Sequence, residues 1–150
     1  MGDLADRALK KYDDQRTDRQ TKDDLARDNQ QARELYGSAR WNELKEAVSK
    51  ECKDLNAKAG SRSIRLTIES SVTSELAVRA DIDGRMRRLG ACYEESTGKL
   101  SWSCGRISSI WIIEATKDGE AQFAGTRGPR SAEWIANEML SSLMDLVPLH

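Results

Sequence analysis

The sequence predicts an α+β fold of two layers: an antiparallel meander of about six strands packed by an N-terminal and a C-terminal helix, with a polar helical arm. Three observations carry this. Two segments near the ends place apolar residues at steps of three and four; residues 62–126 alternate apolar and polar between tight-turn signals; and residues 1–34 are half charged. A chain of 150 residues suits one domain and buries about two-thirds of the surface of its unfolded form, so neither a disulfide nor a metal is needed for stability. The division expected is a charged arm, helical or disordered, over residues 1–37 and a single α+β domain over 38–150.

The arm holds eight basic and nine acidic side chains in its first 34 residues, with nothing apolar from Asp13 to Asp24. Asp6/Lys10, Asp18/Lys22 and Asp23/Arg27 have the i,i+4 spacing that supports a helix by a few tenths of a kcal/mol each. Aspartate is a mediocre helix former, and a helix without an apolar stripe gains little from packing, so removing the arm should cost the fold little.

From Ser38, read as an N-cap, the pattern changes. Trp41, Leu44, Val48, Cys52 and Leu55 form one amphipathic stripe, closed by Gly60. At the other end Ser131 caps a second stripe of Ala132, Ile135, Met139, Leu143 and Leu146, stopped by Pro148. Trp41 and Trp134 each follow their cap by three residues and read as core anchors.

Between the helices, Ile64, Leu66 and Ile68 begin the strands, and Leu76, Val78, Ala80 and Ile82 follow. Asp83-Gly84 is the strongest short hairpin signal in the chain. The turns Glu95 to Gly98, Gly105-Arg106 and Lys117 to Gly119 then divide Leu89–Tyr93, Leu100–Cys104, Ile107–Ala115 and a short strand around Phe123. These turn lengths set Val78 opposite Leu89, Ala91 opposite Trp102, Leu100 opposite Trp111 and Ile113 opposite Phe123. All the apolar partners then share one face.

The other face is polar except in two respects. Ile110 and Ile112 point out of it, and Arg65, Arg79 and Arg88 are expected side by side across the first three strands. Like charges in register destabilise a sheet, so the row calls for counter-charges. Glu69, Glu75 and Asp81 on the same face would supply them, or the Asp-rich arm folding back would. The functional alternative is an acidic or phosphate-bearing partner.

Catalytic signatures are scarce. The only histidine is His150, so a Ser-His or Cys-His pair is not expected, and no GxSxG, HExxH, Walker A or GxGxxG motif occurs. Cys52, Cys92 and Cys104 lack metal-ligand spacing, which suits a reducing compartment; no metal and no cofactor is implied. Asp81-Ile82-Asp83-Gly84 lacks the further ligands of a calcium loop and reads as a turn. The Gly125–Ser131 loop brings Arg127, Arg130 and Ser131 to a helix start, where free N–H groups favour an anion. Its plainer reading has Pro129 opening the helix and both arginines solvated.

The 24 basic and 25 acidic side chains nearly cancel, which excludes a simple polycationic nucleic-acid binder. No run approaches the roughly 18 apolar residues of a membrane span, and no signal-peptide stretch opens the chain, so a cytoplasmic protein without membrane association is expected. The leading reading is a non-enzymatic interaction module using the second sheet face and the arm, with an unknown protein or a second copy of itself as partner. The alternatives are a small anion- or nucleic-acid-binding protein using Arg65, Arg79 and Arg88 or the Arg127/Arg130 loop, and, third, a carboxylate enzyme. Exposed stacking aromatics, which RNA-binding sheets add, are missing from that face.

Overall fold

The computed structural model describes residues 2–118 and 120–145. Leu146, Pro148, His150 and the Gly119 position of the Lys117–Gly119 turn lie outside the described residues. The chain runs α1 (Gly2–Ala59), β1 (Ile64–Ser71), β2 (Glu75–Ile82), β3 (Arg85–Glu94), β4 (Lys99–Cys104), β5 (Ile107–Ala115), β6 (Ala121–Gly125), β7 (Gly128–Arg130) and α2 (Ala132–Leu143). The strands lie in sequence order in one antiparallel sheet of seven, one more than expected. Both helices cover the same face of it.

One 58-residue helix replaces the expected arm and helix. Ser38 does not cap it; its hydroxyl lies mid-helix, 3.4 Å from a carboxylate oxygen of Glu95. Gly37 is no breaker either. It is buried against Tyr93, and a Cβ there would collide with the phenol, so glycine lets the helix approach the sheet. Trp41 stacks on the same Tyr93 ring at 5.7 Å between centroids and donates its Nε1–H to the Thr73 carbonyl at 2.7 Å. Leu44, Val48 and Cys52 continue the buried stripe, Leu55 is half-buried, and Gly60 follows the last turn at φ +59° as expected of a C-terminal glycine.

Contact with the sheet begins before Ser38. The Ala115 N–H donates to Asn29 Oδ1 at 2.9 Å, Ala32 is buried, and Arg33 Nε donates to the Ile113 carbonyl at 3.1 Å. Arg40 Nε reaches the Ala121 carbonyl at 2.7 Å, and at the far end Asn56 bonds both the N–H and the C=O of Leu66 at 2.8 Å. Long polar side chains thus supply backbone hydrogen bonds while the apolar stripe fills the core.

The register follows the turns. Val78 pairs with Leu89, Ala91 with Trp102, Leu100 with Trp111 and Ile113 with Phe123, and these residues are all buried. Asp83 and Gly84 both adopt positive φ, 52° and 81°, as a type I′ turn requires.

The seventh strand arises where a loop was expected. Pro129 does not open the last helix but pairs with Ala124 on the sheet edge, a place proline tolerates because its missing N–H can face outward. Ser131 is the cap of α2, accepting the Trp134 N–H at 3.2 Å. Trp134 is no core anchor: it is 40% exposed, packed edge-on against Trp111 and covered by the Arg130 guanidinium. At the other end of α2, which has no basic residue in its last turn, Arg87 reaches across from β3 to the Ser142 carbonyl at 3.2 Å.

Candidate functional site

The face of the sheet away from the helices is open. On β3 it presents Met86, Arg88, Gly90, Cys92 and Glu94, alternating with residues aimed at the helix layer. Register lines these up with neighbours into rows. Ala77, Gly90, Ser103 and Ser108 form one row across β2 to β5; Cys92, Ser101 and Ile110 form the next. A third continues from Lys99 through Ile112 and Ala124 to Pro129 at the edge. Glu75 opposite Cys92 and Glu94 opposite Lys99 close the second and third rows on the β2–β3 side. Apart from these two carboxylates and Lys99, the rows are small or apolar and make a band that steps from β2 to β7.

Ile110 is 56% exposed and Ile112 37% exposed within this band, where the alternation places them. Full burial of each would be worth about 1.5–3 kcal/mol over leaving it in water. Cys92 beside them is exposed, whereas Cys52 and Cys104 are buried. Burial, with the nearby Glu51 carboxylate, pushes the Cys52 thiol up to about 11, so it carries no nucleophilic thiolate near neutral pH.

The arginines sit at one corner of the open face, but not as a straight row. Arg79 and Arg88 are direct cross-strand partners, while Arg65 lies opposite Asp81 and Thr67 opposite Arg79. The β1–β2 register, which no two-residue turn dictates, sets Arg65 one diagonal away. A bulge between Ile68 and Ser70 leaves Glu69 unpaired in the ladder, and it bridges the two arginines, 3.7 Å from Arg79 and 3.1 Å from Arg88. Asp81 holds the Arg79 Nε at 3.0 Å. The like-charge pair is therefore neutralised inside the molecule by two of the three carboxylates the sequence nominates. The arm does not fold over it: every residue from Asp3 to Asp28 is exposed.

The second arginine loop is also occupied. The Ser131 hydroxyl is committed to the helix cap, and the Arg130 guanidinium lies 4.9 Å from the Trp134 ring centre with one nitrogen on the Pro129 carbonyl. Nearby, burial raises the Glu138 carboxyl above its ordinary range, against the lowering influence of Arg127 and Arg130. Arg127 remains exposed at the hairpin tip.

Sequence reasoning missed one concavity, a groove of about 380 Å³ between the end of α1 and α2, floored by Leu66 and walled by Leu55, Ala59, Leu140 and Met144. Its walls come from segments far apart in the chain, and no local pattern announces it. Among the described residues no group of three or more His, Cys, Asp or Glu could hold a metal ion, and no helix is long and apolar enough to cross a membrane. Compared with models of protein families, with curated proteins and with solved structures, the chain shows no significant match.

Proposed function

We propose that this protein is a non-enzymatic interaction module that docks a protein surface on the open face of its sheet, with the projecting half of α1 as a second, charged element. The exposed Ile110 and Ile112, within a band of mostly small side chains, carry the reading. Scattered exposed apolar residues need no explanation, but two on one strand beside serine, cysteine and alanine side chains form a surface that another protein can dry at modest desolvation cost. Three unpaired cysteines, one of them exposed, fit a reducing, cytoplasmic setting. The carboxylates already bound to Arg79 and Arg88 weigh against an anion or nucleic-acid reading of that corner.

The test is a photo-crosslinking amino acid placed at Ile110 in living cells, with Lys53 on the exposed side of α1 as control. A discrete covalent adduct from position 110 and none from position 53 is expected. Free protein from both positions would overturn the proposal.

A further inference from the structure

We infer that the occupant of the open face is a second copy of this chain, stacked sheet on sheet about a two-fold axis that runs across the strands between the levels of Gly90 and Cys92. The inference rests on the docking role of that face.

Charge placement selects this axis. On β3 the outward residues run Arg88, Gly90, Cys92, Glu94. A two-fold axis across the strands midway between Gly90 and Cys92 lays β3 on the β3 of the other copy, running oppositely. Gly90 then faces Cys92, and Arg88 faces Glu94, twice by symmetry. On β4 the same operation sets Ser103 over Ser101, and on β5 Ser108 over Ile110. On β2 it sets Glu75 of one copy over Ala77 of the other, one two-residue step from Arg79. The other simple axis, along β4, would set Arg88 against Arg106 and Glu94 against Ile112. It pairs like charges, Arg88 with Arg106, whereas the first axis sets Arg106 over Ile112, which the aliphatic stem of the arginine can cover.

The band is also large enough. The overlap of two copies takes in four outward levels from Arg88 to Glu94, about 27 Å along the strands, by the four strands β2 to β5, about 19 Å across, which gives about 500 Å² of footprint per copy. Two copies lose about 1,000 Å² before side-chain relief is counted, which reaches the size of a specific interface. Glycine, alanine and serine at its centre let two sheets settle at the usual spacing of about 10 Å. Helices and groove lie on the far side of each sheet and do not obstruct the approach.

At that spacing, one two-residue step apart, the two Cys92 Cα atoms lie about 12 Å from each other. Cys92 is the exposed cysteine, so a short bis-maleimide linker should join two copies through it, and Cys92→Ser should abolish the product. Light scattering on a dilution series of the full chain should show a dimer. Arg88→Glu and Glu94→Arg should each weaken it by about tenfold or more, and the double swap should recover most of the loss. Both positions are exposed, and circular dichroism checks that each variant keeps its fold. A monomer at every concentration would overturn the second copy, and an adduct at Ile110 of mass other than twice the 16.8 kDa chain would then show that the docking face survives with a different partner. A dimer that ignores both swaps and forms no Cys92 linkage would overturn this pairing.

Discussion

The two halves of α1 are one continuous helix, yet they live in different surroundings. From Asp3 to Asp28 every residue is exposed, and among the described residues of that half Asp24 and Arg27 form the one ion pair, at 3.6 Å. From Asn29 onward the helix is fastened: Asn29, Arg33 and Arg40 bond the sheet backbone, and Ala32, Trp41, Leu44, Val48 and Cys52 are buried. The difference teaches that helix continuity here comes from the packed half. An isolated segment as polar as residues 3–28 pays the nucleation cost with little return, whereas an extension of an existing helix adds turns without renucleating.

The sharpest way to break the comparison is Leu44→Ala in the fully buried middle of the packed half. It should cost about 2–5 kcal/mol in a denaturant melt, through lost apolar transfer plus a cavity. Next, a chain starting at Gly37 loses the Asn29 and Arg33 bonds and the Ala32 cover, and should melt about 2–4 kcal/mol less stable than the full chain. The smallest effect belongs to a chain starting at Asn29, expected within about 0.5 kcal/mol of the full chain by the same melt, since the residues from Asp3 to Asp28 are all exposed. Equal losses from the two truncations would place the boundary between the halves elsewhere.

That boundary was the part of the fold the sequence hid. The composition changes near Gly37 and Ser38, and a glycine before a serine reads as a break and a cap. Their real partners are Tyr93 and Glu95, more than fifty residues away, and no local rule reports them. Asn29 and Arg33 are hidden for the same reason: they look like members of a solvated charge run until the sheet carbonyl and amide they serve are known. The meander was legible because its hairpins are local, each turn length setting the next pairing. The β1–β2 connection lacks such a turn and contains the bulge at Glu69, and there the expected arginine row was misaligned. On the open face, Ile110 and Ile112 could be placed from parity alone. The three-residue β7 and the groove between the helices could not.

The sheet's strict neighbour order has a consequence for how the molecule comes apart. A meander with only adjacent pairings could unzip one hairpin at a time from either edge, because no strand crosses over to lock the others. The packed half of α1 prevents this. It holds the β1 backbone through Asn56 and the β5 and β6 backbones through Arg33 and Arg40. One rigid rod therefore clamps both flanks of a ladder that is otherwise a chain of independent links, so peeling an outer strand must also strain the rod. Opening is thereby turned from a graded fraying into a concerted, all-or-none event, with α1 as the source of the cooperativity.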